Sequence, residues 1–264
     1  RRKKNKLQRW KIKLRNWRDK MNQDIKNLIG LTYEENGKDY KIVGIKDVTE
    51  DYITLDIELV QEEKISWNGK LLVDIGHGGT KTVNGKTVRD YGAENSITKM
   101  NEFTWNKDFV ENYLLSELQK AGIKYQIVLR DVGITKLIND LNKAAGKDDI
   151  ILSFHLNSGV ATATGTETLY WHTSTKGKKL AGLVQENLVK VLGLADRGIK
   201  IRRKPLDAED AKNQRGWEMF QKTKVPFVML ESFFISNDKD LKIGTERKTE
   251  LAKAVVSAIK EYIK

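Results

Sequence analysis

Two of the three histidines in the chain stand near the ends of apolar runs. The stretch Leu71–Thr80 (LLVDIGHGGT) has glycines on both sides of His77. The stretch Asp148–Asn157 (DDIILSFHLN) carries His155, and a third apolar run, VPFVMLESFFISN, carries Glu231. Short apolar runs bounded by turn residues predict buried strands, and glycines allow a sharp turn beside a side chain. Three strand ends that present His, His and Glu therefore predict one polar site on one sheet.

Two histidines and one carboxylate around an open fourth position form a common catalytic zinc site. Between the two histidines in sequence, Glu102 lies on the inward face of a predicted amphipathic helix, at its first turn. Glu231 is then free to act as a general base toward a water molecule whose pKa the metal lowers. The alternative is that His77 and His155 are only hydrogen-bonded histidines at strand ends. The HExxH pattern of many metalloproteases is absent from the sequence.

The elements that must position these residues alternate between strands and helices after Leu71. This alternation predicts an α/β domain with a mixed, mainly buried sheet flanked by helices. The polar segments Thr80–Lys99 and Arg197–Asp210 are predicted as loops. Periodicity places the strand of the third run at Phe227–Phe234 and predicts two further strands, Tyr125–Leu129 and Thr166–Trp171. It predicts helices at Asn101–Ala121, Ile134–Ala145, Lys178–Leu192, Ala211–Gln221 and Arg247–Ile263.

The composition excludes several kinds of protein. The 264 residues include no cysteine, which excludes disulfides, thiolate zinc sites and a cysteine nucleophile. The sequence has no apolar run of about 18 residues, the length that would predict a transmembrane helix. It shows no signal-peptide pattern, and it begins with Arg, as a processed product or a fragment would. The net charge is +12, but the first 30 residues alone hold 12 Lys and Arg against 2 Asp and Glu. Because most of the excess positive charge lies in this segment, the net charge does not predict that the chain as a whole binds nucleic acid.

Residues 1–30 are predicted to form a basic amphipathic helix. Its apolar residues recur at spacings of three and four, as in a coiled-coil seam: Leu7, Trp10, Leu14, Trp17 and Met21. Such a helix can dock on its own protein or on a neighbour such as a virion, or self-associate. A third alternative is attachment to an anionic polymer or a membrane surface.

Residues 31–68 are predicted to form a small antiparallel β unit. Asn36-Gly37 is a typical type I′ hairpin turn, and apolar residues alternate with polar ones from Ile53 to Leu59. A unit this small buries little core by itself, so it is expected to lean on the helix or on a partner. The expected division is therefore 1–30, 31–68 and a catalytic domain at 69–264.

From Leu71 to the C-terminus, the chain resembles the zinc-dependent N-acetylmuramoyl-L-alanine amidases of bacterial cell-wall turnover and phage lysis. The resemblance rests on the order and approximate spacing of six features, each of which would be weak alone. The usual proline of the first motif is Ile75 here. The features are DIGHGG at Asp74–Gly79, Glu102 at a helix start, SFHLN at Ser153–Asn157, GTETLY at Gly165–Tyr170, RGIK at Arg197–Lys200, and ESFFISN at Glu231–Asn237.

The resemblance implies a role for each residue of the site. His77, Glu102 and His155 would be the ligands of one zinc ion, and Glu231 would be the catalytic carboxylate. Glu94 is an alternative third ligand, but Glu102 is preferred because it opens the amphipathic helix on its inward face.

The residues around this set have open roles. Asp74 either orients His77 or caps its turn, and Asn157 either binds substrate or holds a loop. Phe233 stands where the family has glycine, one strand step from Glu231, and would narrow the substrate groove.

Two further groups of polar residues complete the sequence predictions. The basic segment that contains Arg197 and Lys200, followed by Arg202 and Arg203, is either a solvated loop or a contact for the carboxylates of a wall peptide. His172, next to Trp171, is expected to be a surface or packing residue.

The expected function is hydrolysis of the amide that joins N-acetylmuramic acid to L-alanine in peptidoglycan. The chain would be a phage lysin or tail-associated lysin that acts on the cell wall. A bacterial autolysin whose signal peptide has been removed is the second candidate. A non-catalytic protein that binds the wall or builds a virion is the alternative from another class.

Overall fold

The chain divides into two compact units, Arg1–Glu63 and Lys64–Lys264, which are described separately. The computed structural model describes residues 8–13, 32–35, 38–48, 52–59, 66–131 and 133–264. Within these residues, no helix is both long enough and apolar enough to cross a membrane.

The described part of the first unit is an antiparallel sheet of four strands, β1 (Gln8–Lys13), β2 (Thr32–Glu35), β3 (Lys38–Val48) and β4 (Tyr52–Leu59). The strands lie in the order β1-β4-β3-β2. Apolar residues of β3 and β4 form a small buried cluster of Tyr40, Ile42, Leu55 and Ile57. Strands β2 and β3 pair on either side of Asn36-Gly37, although this predicted turn lies outside the described residues.

The helix predicted for residues 1–30 is wrong where the structure describes it, because Gln8–Lys13 is a strand. Trp10 is opposite Leu55 of β4 in the register of the pair. The segment QRWKIK also alternates between apolar and charged residues, so its sequence fits a period of two as well as the helical period. Backbone pairing with β4 decides between them. The rest of the predicted helix, with Leu7, Leu14, Trp17 and Met21, lies outside the described residues.

The second unit contains a six-stranded sheet and a separate two-stranded hairpin. The strand order in the sheet is β11-β10-β12-β9-β5-β8. Neighbouring strands are parallel in every pair except β10–β12, which is antiparallel. These labels denote β5 (Leu71–Ile75), β8 (Tyr125–Leu129), β9 (Ile150–Asn157), β10 (Thr166–Trp171), β11 (Asp196–Arg202) and β12 (Phe227–Phe234), and the hairpin is β6 (Thr80–Val83) with β7 (Lys86–Arg89).

The helices of this unit cover the sheet on both faces. Helix α1 (Glu102–Phe109) continues through a π-helical segment, Val110–Leu114, into α2 (Leu115–Lys120). The others are α3 (Ile134–Ala144), α4 (Thr175–Leu192), α5 (Ala208–Asn213), α6 (Trp217–Lys222), α7 (Asp238–Glu246) and α8 (Lys248–Tyr262).

Strand β5 shows why the sheet is buried on both sides. All five of its residues are buried, and successive side chains of a strand point to opposite faces. Leu71, Val73 and Ile75 belong to the larger apolar cluster, which α1, α4 and α8 complete. Leu72 belongs to the smaller cluster, which α3 and α6 complete. The expected α/β fold with a mixed, mainly buried sheet is therefore confirmed.

Several predicted elements need correction. The predicted loop Thr80–Lys99 begins with the hairpin β6–β7, whose turn residues Asn84 and Gly85 both have positive φ. The second predicted loop, Arg197–Asp210, contains most of β11, which pairs with β10 in spite of its charged residues. The helix predicted at Ala211–Gln221 is two short helices, α5 and α6. Helix α7 was not predicted. The bounds of β8, β10 and β12 agree with the predictions.

The parallel order of β12, β9 and β5 brings the predicted site residues to one edge of the sheet. The carboxyl ends of parallel strands lie at the same edge, where α/β proteins bind their ligands. His77 follows β5, His155 lies near the end of β9, and Glu231 lies in the second half of β12.

Candidate metal centre

His77 stands in a tight turn two residues after β5. Its backbone φ is +68°, which is uncommon for any residue other than glycine. The neighbouring glycines are required by close contacts, because a Cβ on Gly76 would lie 2.4 Å from the His155 ring. A Cβ on Gly78 would lie 2.3 Å from the Phe103 ring. The turn therefore packs the first histidine directly against the strand that carries the second.

Glu102 is the first residue of α1 and is almost fully buried. Its Oε1 accepts hydrogen bonds from the backbone N–H of Leu156 at 3.0 Å, and its Oε2 from that of Ala93 at 3.1 Å. The same oxygens face the histidines, since Oε1 lies 2.9 Å from Nδ1 of His155 and Oε2 lies 3.2 Å from Nε2 of His77. The carboxylate is thus fixed between the two rings.

His77, Glu102 and His155 form a group able to hold a metal ion, with one donor atom of each within 4.8 Å of the others. Ligands about 2.0–2.1 Å from a tetrahedral zinc ion lie roughly 3.3 Å from one another. Oε1 of Glu102 lies 2.9 Å from the His155 nitrogen and Oε2 lies 3.2 Å from the His77 nitrogen, so each histidine has one carboxylate oxygen near this spacing. Two ring nitrogens and a carboxylate oxygen are also donors that zinc prefers. These residues therefore fit the ion that the sequence predicted.

Glu94, the alternative third ligand, lies outside this group. Its side chain is 53% exposed, and its nearest charged partner is Lys99 at 3.8 Å. An isolated β-bridge pairs Glu94 with Asn101, whose side chain caps α1 by accepting a hydrogen bond from the backbone N–H of Thr104. The structure thus brings Glu102 to the histidines and leaves Glu94 at the surface.

The electrostatics of the group favour a charged pair when no cation is bound. Burial lowers the pKa of His155, but its hydrogen bond with Glu102 and the neighbouring carboxylates of Glu102, Glu231 and Asp74 outweigh burial and raise this pKa to about 9. Burial raises the pKa of Glu102, but the hydrogen bonds with both histidines hold it well below its usual range. The buried Glu102 carboxylate and the His155 ring therefore stabilise each other's charged forms.

Glu231 lies next to this group without being part of it. In the sheet, it is opposite His155 of β9 on one side and Glu167 of β10 on the other. Its Oε2 is shielded from solvent and has no hydrogen-bond partner among the described residues. Burial raises its pKa to about 8; His155 and Arg202 oppose this shift, whereas Glu102 and Glu167 add to it. A carboxylate with an unpaired oxygen and a pKa near neutrality is suited to proton transfer.

Of the two roles predicted for Asp74, to orient His77 or to cap its turn, the structure does not show the first, because the Asp74 carboxylate does not contact the His77 ring. The Oγ of Ser153 donates a hydrogen bond to Asp74 Oδ2, and Oδ1 has no partner in the described chain. Burial raises the pKa of Asp74, an effect opposed by His155 and by the Ser153 hydrogen bond. Asp74 belongs to the buried polar layer beneath the histidines.

The partner of His77 is Asp90, which the sequence analysis missed. Asp90 Oδ2 lies 2.9 Å from Nδ1 of His77. Arg130 also contacts Oδ2, and Lys81 donates to Oδ1 at 2.8 Å. The Asn84-Gly85 dipeptide was the available signal, because it predicts a hairpin that returns the chain to the His77 turn.

Two of the predicted substrate residues, Asn157 and Arg197, contact Glu167, the neighbour of Glu231 in β10. Glu167 accepts hydrogen bonds from Nδ2 of Asn157 and from Nε of Arg197, both at 2.8 Å. The Arg197 guanidinium also lies over the Phe234 ring, 4.9 Å from its centre. Asn157 is therefore engaged in holding Glu167, whereas the terminal nitrogens of Arg197 have no partner in the described part of the chain. Lys200 is exposed, and its register with Leu169 and Met229 places it further from the carboxyl edge of the sheet than Glu231.

Phe233 does not line the groove, and that prediction is wrong. The ring is fully buried and meets Trp105 edge to face, with centroids 4.9 Å apart. The cause is a bulge. Between the pair Glu231–His155 and the pair Phe234–Asn157, β9 advances by two residues and β12 by three. Phe234 rather than Phe233 therefore lies on the same face of the sheet as Glu231. The core accepts the Phe233 ring beside Gly244, where a Cβ would lie 2.2 Å away.

Two remaining predictions concern peripheral residues. His172 is exposed and packs against the Trp171 ring with centroids 4.8 Å apart, as expected for a surface residue. Arg203 pairs with Asp210 through Nη1 at 2.6 Å, so that part of the basic segment stabilises its own loop.

Comparison with known proteins now gives the class. The sequence profile of N-acetylmuramoyl-L-alanine amidases matches residues 71–261. The chain therefore belongs to the N-acetylmuramoyl-L-alanine amidase family, whose members hydrolyse peptidoglycan.

The chain is also similar to individual proteins. Protein YqiI of Bacillus subtilis (strain 168) is 30% identical over 199 residues, which cover 72% of this chain and 82% of YqiI. The probable cell wall amidase LytH of Staphylococcus epidermidis is 26% identical over 216 residues, 78% of this chain and 64% of LytH. The match thus spans slightly less than two thirds of LytH. The crystal structure of an N-acetylmuramoyl-L-alanine amidase from Clostridium difficile 630 has the same fold, with a TM-score of 0.58, 24% identity, and coverage of 74% of this chain and 97% of that one.

Proposed function

We propose that this chain hydrolyses the amide between the lactyl group of N-acetylmuramic acid and L-alanine of the stem peptide, with one zinc ion held by His77, Glu102 and His155. The observation that carries this proposal is the unpaired Glu231 carboxylate beside that group, opposite His155 in the sheet. A bound zinc ion would lower the pKa of a water molecule and polarise the amide carbonyl.

Glu231 supplies the proton transfers in this proposal. In its ionised form, Glu231 accepts a proton from the attacking water, and its raised pKa favours holding that proton until it is released to the leaving amine nitrogen of L-alanine. The intact set of three ligands and a base argues against the alternative of a wall-binding protein without activity. Purified chain should release L-alanine amino termini from isolated cell walls and contain about one zinc ion per molecule. Walls left intact by zinc-loaded protein would contradict the proposal.

The biological setting that we propose is wall turnover by a bacterium itself. YqiI and LytH are both bacterial proteins, and LytH is a probable cell wall amidase by name. The phage lysin predicted from the sequence is the second setting. The position of the gene, among phage structural genes or in a bacterial operon, would distinguish the two settings.

Arg197 is proposed to bind a carboxylate of the stem peptide. Its Nε is fixed by Glu167 and its plane by Phe234, so the two terminal nitrogens form a pre-oriented pair of donors. Glu167 lies on β10, opposite Glu231, and Arg197 lies on β11, the edge strand two positions from β12.

Replacement of Arg197 by Ala is expected to raise KM about 10-fold or more, with a smaller change in kcat, because a charge-assisted hydrogen bond contributes about 1.5–3 kcal/mol. Steady-state kinetics on muropeptides with free and with amidated stem carboxylates would measure this. The effect should vanish on the fully amidated peptide. Arg215→Ala, at an exposed arginine, is the matched control. An equal effect on both peptides would contradict carboxylate recognition.

Zinc binding is expected to release protons. Because the pKa of His155 is about 9 without metal, this ring is protonated at pH 7 and must lose its proton to become a ligand. The apparent zinc affinity should therefore rise about tenfold per pH unit up to pH 9 and then level off. Isothermal titration calorimetry in buffers of different ionisation enthalpy would count the protons. His172→Gln is the control and should behave like the wild type. Zinc binding without proton release would show that the His155 ring is already neutral at pH 7 in the metal-free protein.

A further inference from the structure

His77 differs from the other two residues of the metal group in how it is supported. Glu102 is held by two backbone N–H groups, and His155 lies within a central strand. His77 lies beyond the end of β5, in a turn with positive φ. A ligand in such a turn needs another contact to fix the orientation of its ring.

Asp90 provides this contact on the side of the ring opposite to Glu102. Nδ1 of His77 lies 2.9 Å from Asp90 Oδ2, while Nε2 lies 3.2 Å from Glu102 Oε2. Both nitrogens of the ring therefore have a defined neighbour. When Nδ1 carries the proton that it donates to Asp90, Nε2 presents its lone pair toward the metal group.

Asp90 is itself held in place by side chains. Arg130, which directly follows β8, contacts Oδ2, and Lys81 of the hairpin donates to Oδ1 at 2.8 Å. The backbone N–H of Gly92 also donates to Oδ1, at 3.3 Å. Asp90 is therefore a hydrogen-bond acceptor that three donors hold in place.

The backbone also ties Asp90 to the His77 turn. Gly78 donates to the carbonyl of Asp90 at 2.8 Å, and Asp90 donates to the carbonyl of Gly79 at 2.7 Å. Two residues later, a Cβ on Gly92 would lie 2.6 Å from Cδ2 of His77, so this loop packs closely against the ring. The hairpin β6–β7 thus begins at the turn and returns to it with Asp90.

We infer that Asp90 is a positioning residue that fixes the tautomer and orientation of His77 and thereby sets the metal affinity of the site. This inference rests on the proposed zinc site. Carboxylates that accept the second N–H of a metal-bound histidine commonly contribute about 10- to 100-fold to metal affinity. No contact of Asp90 with substrate is needed for this role.

The test uses the full chain and two variants, Asp90→Ala and Asp90→Asn. Zinc affinity, measured by competition with a chromophoric chelator, should fall about 10- to 100-fold for Asp90→Ala. The fall should be smaller for Asp90→Asn, because the amide oxygen can still accept the N–H but carries no charge. Asp140→Ala and Asp140→Asn, on the outer side of α3 and paired with Lys136, are the matched controls.

A second measurement separates positioning from a general loss of structure. The chain has only three histidines, so a His172→Gln background leaves the ring nitrogens of His77 and His155 alone in a long-range ¹H–¹⁵N spectrum. In zinc-loaded protein, His77 should show a protonated Nδ1 and a metal-shifted Nε2. Asp90→Ala should broaden or shift the His77 signals and leave those of His155 in place.

The outcomes distinguish failure of this inference from failure of the proposed function. If the wild-type chain binds no zinc, the proposed function fails and this inference falls with it. If the wild type binds zinc but Asp90→Ala has unchanged affinity and unchanged His77 signals, only the inference is overturned. A metal-shifted Nδ1 of His77 would also overturn it, since the proton facing Asp90 would then be absent.

Discussion

Replacement of Glu231 by Gln is expected to lower kcat for amide hydrolysis by about 10²- to 10⁴-fold, the usual contribution of a general acid–base group. Gln has nearly the same shape but cannot accept a proton from water. Zinc content should be unchanged, because Glu231 lies outside the group formed by His77, Glu102 and His155. Release of L-alanine amino termini from muropeptides is the measurement, and Glu186→Gln on the exposed side of α4 is the control.

Stability gives an independent check on this variant. The pKa of Glu231 is raised in the folded protein, so its ionisation opposes folding as pH rises above the ordinary value of 4.5 toward about 8. The metal-free Glu231→Gln variant should therefore melt at a higher temperature than the wild type at pH 7 and lose this advantage below pH 4. Lower activity with higher stability excludes a folding defect. An active variant would remove Glu231 from the reaction.

Replacement of Glu102 by Gln is expected to abolish zinc binding and, with it, hydrolysis. The carboxylate faces both histidines, and its two oxygens also accept the backbone N–H groups of Leu156 and Ala93. An amide NH₂ in place of either oxygen would face an N–H donor. The loss of zinc affinity should exceed the roughly 10- to 100-fold loss that follows removal of a hydrogen-bond partner of a metal ligand. Metal analysis after dialysis and the muropeptide assay measure it.

Glu94→Gln is the matched control for this prediction and should keep full zinc content. If Glu94→Gln lost zinc and Glu102→Gln kept it, the alternative ligand would be correct.

The melting temperature of the metal-free Glu102→Gln variant should shift in the direction opposite to that of Glu231→Gln. The pKa of Glu102 is lowered in the folded state, so its ionised form stabilises the metal-free protein above about pH 4.5, and this contribution is lost as pH falls. Glu102→Gln should therefore melt at a lower temperature than the wild type at pH 7.

The sequence was most informative where one physical pattern dominated. Strands β8, β10 and β12 are apolar runs with clear ends, so their bounds were predictable. The positions of His77, Glu102, His155 and Glu231 in the fold were predictable because each lies at or near the end or beginning of such an element. The family resemblance then supplied their roles.

The failures came from interactions between residues distant in sequence. Strand β1 fits two periods, and pairing with β4 decides between them. Strand β11 lacks an apolar pattern and forms because β10 offers a partner. Asp90 has no local signature, since only the hairpin brings it to His77. The side chain of Phe233 was assigned by simple alternation, which the bulge after Glu231 interrupts.

The in-register alignment of His155, Glu231 and Glu167 across three strands has an evolutionary consequence. Neighbouring strands lie about 4.8 Å apart because of their backbone hydrogen bonds, so the spacing of these side chains is set by the main chain. A slip of β12 by one residue would present Leu230 or Ser232 in place of Glu231. Val228 and Leu230, which are fully buried, oppose such a slip. Selection for catalysis therefore extends to apolar residues that never meet the substrate, and drift at those positions would be limited by chemistry as much as by stability.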